Sequence, residues 1–559
     1  MATRLVRSIL LLFGGLLATT AWAQPNFWDT YTFSEADSLR GALRPERTCY
    51  DVTFYHLNLL IVPEFKSIAG YVDIHFKAVN EVRKIQIDLA ANMTIDRIEY
   101  DGKGLRYERR HDAVFVFFPE PIPAGQQAFI QVTYHGQPRT ARNPPWDGGF
   151  VWAQDKRGNP WVGVACEGDG ASLWWPNKDH LSDEPDSVLI SVEVPSSLKC
   201  IANGNLRSTE NNGEFTRYNW FVSYPVNNYN VTVNIGKYAH FQDEYYSPTD
   251  GDTLALDYYV LDYNEAKARA HFKQTNLILK AYEHFLGKYP YWNDGFALVE
   301  TSYLGMEHQG AIAYGNRYMR GYLGGMIPRD MDWDYIIVHE TGHEYFGNSV
   351  SCNDLAEMWI HESFTTYLEA LYVEYRYDYA SAVRYLESQR PMIRNQQPIL
   401  GPKDVNWDNW DGSDHYYKGA WMLHTLRHAI HNDSLWWSLL KRFHLENINK
   451  NVRTEDFVRH VNEATGRDWA AFFQQYLVYT QPPTLLYNTE ATPAGLKVRY
   501  RWQADVAGFD MPVLLGIKGA YQQVSPTTTG WQETVLTNVT EGQFAIATEL
   551  HLIKVRRSD

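Results

Sequence analysis

The sequence predicts a multidomain α+β protein: an N-terminal all-β domain, a mixed α/β domain that carries the chemistry, and a small C-terminal β-sandwich. Three observations predict it. From Thr53 to about Lys237, apolar and polar residues alternate with period two, and Asp101-Gly102, Asn203-Gly204 and Asn212-Gly213 punctuate the runs as turns. Between about Leu254 and Tyr479 a few strand-like runs give way to helical spacing at Ala266–Phe285, Leu355–Tyr375, Ala420–Ile430 and Phe457–Val478. After Pro482-Pro483 alternation returns, as in Leu496-Lys497-Val498-Arg499-Tyr500-Arg501-Trp502.

Taken in order, residues 1–23 read as an export signal. Arg4 and Arg7 precede an apolar run from Ile9 to Leu17, and Ala21-Trp22-Ala23 offers a small-x-small cleavage site. The expected mature chain starts at Gln24 and is exported, to a periplasm or the extracellular space. No later run approaches the roughly 18 apolar residues of a membrane span, so no stable span is expected after cleavage. Residues 24–250 are then the β domain, 251–482 the mixed domain and 483–559 the β tail. A net charge of −15 argues against a phosphate-tracking surface, and nucleic acid is not an expected partner. Cys49, Cys166, Cys200 and Cys352 allow three full pairings or remain thiols, and none has the C-x-x-C spacing of a structural zinc site.

The chemistry is concentrated in His339-Glu340-Thr341-Gly342-His343 and in Glu362, with eighteen residues between His343 and that glutamate. Residues four apart share a helix face, so His339 and His343 offer two imidazoles to one metal ion. Glu340 then stands beside the metal, where a carboxylate can take a proton from an attacking water. By composition a chance H-E-x-x-H in this chain has odds of about 4 in 100, and a glutamate at one fixed later position lowers this to about 2 in 1000. Two further segments bear on which bond is cut. Gly305, Met306 and Glu307 end a strand-like run, where a glycine admits a substrate backbone and a carboxylate can hold a cation. Tyr416-Tyr417-Lys418-Gly419 opens a helix, where a phenol can donate to a developing oxyanion.

With these motifs the chain resembles the gluzincin aminopeptidase family, typified by aminopeptidase N and the leukotriene hydrolase, strongly over residues 45–480 and weakly in the tail. Leu304-Gly305-Met306-Glu307-His308 stands where the family has G-x-M-E-N, Trp359-Ile360-His361-Glu362-Ser363-Phe364 where it has W-L-N-E-G-F, and Tyr416-Tyr417-Lys418-Gly419 matches Y-x-K-G. The resemblance implies a thermolysin-like mixed domain and one Zn²⁺ per chain held by His339, His343 and Glu362. It also implies Glu340 as general base and Tyr416, rather than Tyr417, as the phenol that assists the transition state. Gly305, Met306 and Glu307 become substrate-binding residues. Glu167, nine residues before Pro176 of Trp175-Pro176-Asn177-Lys178-Asp179, becomes a second anchor for the substrate amine. Glu369, two helical turns after Glu362, is placed to orient a histidine ligand. Departures are Leu304, His308, His361, Ser363 and the Thr341-Gly342 pair, together with an expected short form lacking the family's long helical C-terminal domain.

The expected function is zinc-dependent removal of the N-terminal residue from peptides with a free N-terminus. The alternatives are an endopeptidase of thermolysin type, which needs no amine anchor, and a silent peptide-binding protein on the same scaffold. The preferred N-terminal residue and the oligomeric state are not written in the sequence.

Overall fold

A computed structural model describes residues 27–558, so the expected export segment lies outside the described residues. The N-terminal region is built on an eight-stranded sheet in the order Asn205–Asn211, Phe215–Val222, Ser187–Pro195, Tyr50–Val62, Ser67–Ala78, Gln127–Gly136, Met93–Tyr100, Lys103–Gly104. Alternate residues of its central hairpin are buried, Leu57, Leu59 and Ile61 on one strand and Val72, Ile74 and Phe76 on the other, as period-two patterning requires of a sheet with one face on a core. A second sheet, Lys199–Ala202, Val233–Gly236, Pro160–Ala165 and Gly149–Gln154, shares that core. The loop after Pro160–Ala165 carries Glu167. It turns through Gly168 and Gly170, both at positive φ, and Arg139 pins it by two bonds to the Asp169 carboxylate at 2.8 and 2.9 Å.

A five-stranded sheet follows in the order Tyr238–Tyr246, Thr253–Leu261, Phe296–Glu300, Ile312–Tyr314, Gly305–Met306. Tyr238–Tyr246 precedes residue 250 yet pairs along its whole length with Thr253–Leu261, so the mixed sheet begins before the boundary read from the sequence. Met306, on the short edge strand, is buried in the core of the N-terminal region with Val299, Tyr303 and Ala313. Helices Thr275–Leu286, Tyr335–His343, Trp359–Arg376, Tyr379–Gln389 and Asp414–Ile430 cover this sheet and one another. The tail forms a four-stranded sheet, Gln532–Leu536, Gly495–Gln503, Thr484–Thr492 and Lys554–Arg557, beside a three-stranded one, Ala520–Val524, Val513–Ile517 and Phe544–Ile546. It shares one apolar core with the helices, and Tyr476 donates to the Leu552 carbonyl at 2.8 Å. The four cysteines are free, buried thiols. Among the described residues no helix is long and apolar enough to cross a membrane.

The first described residues form an aromatic strap that the sequence reading did not anticipate. Trp28, Tyr31 and Phe33 surround the ring of Trp407 at 5.2, 5.2 and 5.8 Å, and Trp28 Nε1 donates to Leu400 O at 2.9 Å. Gly41 lies so close to Val405 and Asn406 that a Cβ would fall 2.2 Å from Asn406 N.

Candidate active site

The helix Tyr335–His343 begins at Asp334, whose carboxylate accepts from the amides of Ile336 and Ile337 at 2.9 and 3.3 Å. All nine of its residues are buried. Gly342 has a packing reason: a Cβ there would stand 3.0 Å from Thr365 Cγ2, so glycine lets the helix Trp359–Arg376 approach and present Glu362. The chain then turns at Gly347, φ +125°, where a Cβ would lie 2.9 Å from His343 Nδ1.

His339 Nε2 and His343 Nε2 are 3.1 Å apart, and Glu362 Oε2 lies 3.6 and 3.4 Å from them. Each Nδ1 is engaged on the far side, His339 with Glu369 Oε1 at 2.6 Å and His343 with the Phe346 carbonyl at 3.0 Å. With the Nδ1 protons so committed, both Nε2 lone pairs point to one spot. A tetrahedral zinc site with bonds of about 2.0–2.1 Å has ligand–ligand edges of about 3.3–3.4 Å, which these separations fit. Glu362 Oε2, buried without a hydrogen-bond partner among the described residues, is the orphan such an ion would satisfy. Glu369 is held in turn by Tyr385 and Gln389, donating to its Oε2 at 2.5 and 2.9 Å.

These ligands open on a cavity of about 740 Å³ that is also lined by Glu167, Gly305, Met306, Glu307, Glu340 and Tyr416. Every site residue expected from the sequence except Glu369, which lies behind His339, therefore faces one space. Glu307, Glu340 and His343 each bring a ligand atom within 4.8 Å of the others. Gly305 passes against the motif helix, and a Cβ there would meet Glu340 Oε1 at 2.6 Å and Ile336 Cγ2 at 2.8 Å. Burial raises the Glu340 carboxyl above its ordinary value, opposed by the imidazoles of His339 and His343. Burial raises Glu167 too, reinforced by Glu307 and Glu362, and it also raises Glu307. Several carboxylates crowded into one cavity favour a cationic guest between them.

Tyr416 is placed by an unusually close helix crossing. Ser363 Oγ donates to His415 O at 2.6 Å, and a Cβ on Gly419 would fall 1.6 Å from that Oγ. Lys418 is buried and donates to the carbonyls of Tyr479 and Thr480 at 2.8 and 2.9 Å. The Tyr416 ring lies nearly parallel to that of His339 at 6.0 Å. Burial and the nearby Glu362 hold its phenol well above the ordinary value, hence protonated and able to donate.

The departures also find partners. His361 Nε2 accepts from the Cys352 amide at 2.9 Å, and its Nδ1 lies 3.5 Å from Tyr229 OH. Tyr229 donates to Glu307 Oε1 at 3.0 Å, and Asn348 Nδ2 donates to Glu307 O at 2.8 Å. His308 is fully buried and finds no partner for either ring nitrogen among the described residues. Tyr229 was not singled out from the sequence.

Two imidazoles one helical turn apart, a carboxylate from the next helix and a free carboxylate beside them define a metallopeptidase centre of the gluzincin class. Residues 270–476 match the peptidase family M1 domain. It is 21% identical over 450 residues to "Probable aminopeptidase 1" of Sulfurisphaera tokodaii, covering 76% of this chain and 52% of that protein. It is 22% identical over 347 residues to aminopeptidase N of Haemophilus influenzae, covering 57% and 38%. The chain thus spans about half or less of the length of these curated relatives. Its fold matches that of a mutant M1 zinc metallopeptidase from Deinococcus radiodurans crystallised with a Tyr-Ser-Ala substrate, at TM-score 0.66 and 19% identity over 78% of this chain and 97% of the other.

Proposed function

We propose that the protein is a zinc aminopeptidase that removes the N-terminal residue of peptides. The observation that carries this reading is that Glu307, within 4.8 Å of both Glu340 and His343, and Glu167 face the cavity of the metal-ligand triad. Among the described residues neither carboxylate forms an ion pair with a basic side chain, and a substrate α-ammonium supplies the missing charge. Fixing the ammonium there leaves only the first peptide bond at the site of reaction. His339, His343 and Glu362 hold the zinc, which when bound supplies Lewis-acid polarisation of the carbonyl and acidifies water. Glu340 accepts the proton of the attacking water and returns it to the leaving amine. Tyr416 donates to the oxyanion of the tetrahedral state. Gly305 lines the cavity as a substrate-binding residue, and its missing side chain lets the edge strand lie against the Glu340 carboxylate. Glu369 orients His339.

The reading includes export through residues 1–23. It is tested with Glu340→Gln and Tyr416→Phe, each expected to cut kcat by at least about 100-fold while zinc stays near one per chain. Full activity in either variant sinks the assignment. Equal cleavage of N-acetylated and free peptides would point instead to an endopeptidase.

A further inference from the structure

The aromatic strap at the start of the described chain has no part in the chemistry above, yet it reaches the Glu167 loop by two routes. The first runs through residues 400–408, which form no helix or strand between Arg390–Met392 and the helix Asp414–Ile430. Trp28, itself buried, bonds Leu400 O, and the Trp407 ring is caged by Trp28, Tyr31 and Phe33. Gly41 closes on the same turn: a Cβ there would fall 2.4 Å from Val405 N. Asn406, held between these contacts, donates from Nδ2 to Gly168 O at 2.9 Å, one residue after Glu167. The second route is direct. Arg40, on the helix Glu35–Gly41, lies 3.9 Å from Asp179 Oδ2, and a Cβ on Gly170 would stand 2.8 Å from Arg40 Nη2. His180 Nε2 donates to Gly41 O at 3.2 Å.

The loop needs such support. Glu167-Gly168-Asp169-Gly170 contains two glycines at positive φ, which keep many backbone states open to it. Its Glu167 carboxylate faces the like charges of Glu307 and Glu362, which push it away from the position an ammonium requires. A carboxylate under repulsion stays in place only if its backbone is held from behind, and Asn406 and Arg40 stand behind it. The rest of the site is fixed independently. Asp414 accepts from the amides of Arg394 and Asn395 at 2.7 and 2.6 Å, and the Ser363 contact seats His415, so Tyr416 does not depend on the strap. The metal ligands belong to the helices Tyr335–His343 and Trp359–Arg376, neither of which the strap contacts described here engage.

We propose that Trp28, Trp407 and Asn406 are positioning residues for the amine anchor: the strap grips Trp407, and Asn406 beside it holds the Glu167 loop where its carboxylate meets the substrate ammonium. The proposal rests on the aminopeptidase reading, which gives Glu167 that ammonium.

The test is steady-state kinetics of the zinc-loaded protein on the best substrate of an aminoacyl coumarin amide panel. Trp28→Ala and Asn406→Ala are each expected to raise KM about five-fold with kcat within about two-fold, because the ammonium then binds a loop it must first order. Trp28→Phe, which keeps an aromatic ring in the cage, recovers most of the loss. On a Glu167→Gln background Asn406→Ala raises KM no further, since the loop then has no charge to place. Unchanged KM in Asn406→Ala, a fall in kcat alone, or a KM loss that repeats in full on Glu167→Gln overturns the proposal, and these readings stand even where Trp28→Ala does not fold. If the protein cleaves no member of the panel, the aminopeptidase reading fails, and calorimetric binding of leucinamide against 4-methylpentanamide decides the role of the strap. A leucinamide preference that Asn406→Ala abolishes supports it; no preference, or one that the variant retains, refutes it.

Discussion

Tyr229 joins a chemical residue to a structural one: its hydroxyl donates to Glu307 and lies beside His361, which stands next to the third ligand. Removing the hydroxyl leaves Glu307 without that bond and free to turn away from the ammonium. Tyr229→Phe is expected to raise KM about five-fold, with zinc content unchanged and kcat less affected, in steady-state kinetics on a free-amine peptide. Residues of this kind mark the limit of what the sequence discloses. His339, His343 and Glu340 are legible because one helix fixes their relation, and Glu362 because the spacing between its helix and theirs is stereotyped. Glu307 and Tyr416 were legible only in company with that motif, and Glu167 only through the family alignment, since each comes from a different element. Tyr229 was not legible, because its role depends on a loop from the N-terminal region meeting a helix 132 residues away in sequence. His361 and Ser363 read as mere departures until the Cys352 amide, Tyr229 and the His415 carbonyl supplied their partners.

Among elements, the crossing of Trp359–Arg376 over Asp414–Ile430 sets where Tyr416 stands relative to Glu362. Contact at Ser363 and Gly419 is so close that Gly419→Ala must push the helices apart. The cost of such overpacking is about 1–3 kcal/mol, and kcat should fall because the phenol moves with its helix. Ser363→Gly removes both atoms that the new methyl would strike, so the double variant should recover much of the lost stability and kcat. A thermal-unfolding and kinetic double-mutant cycle measures this, and additive losses would refute the contact as the cause. Helix spacing in the sequence announced both helices but not their separation, which is decided by two small side chains meeting. The same applies to Tyr238–Tyr246: alternation identified a strand, and only its partner shows which sheet it joins.

Across the whole molecule, Glu184 of the N-terminal region accepts at 3.1 Å from Nδ2 of Asn451, the middle residue of the strand Lys450–Val452. Burial raises its carboxyl from 4.5 to about 8. The folded protein therefore keeps a proton that the unfolded chain releases, so this group's contribution to stability is greatest below pH 4.5 and is lost as pH rises toward 8. Glu184→Gln should flatten the fall of Tm between pH 5 and 8, measured by scanning calorimetry in matched buffers; an unchanged slope would show that the group is not responsible.

The edge strand Gly305–Met306 belongs to the catalytic sheet but sinks Met306 into the core of the N-terminal region. On the proposed function, the distance from the amine anchors to the metal ligands is therefore a ruler laid across two bodies, with Glu167 on one, His339 on the other and Met306 as the rivet. Loosening that rivet would first blur where along a peptide the cut falls, before abolishing the ability to cut at all.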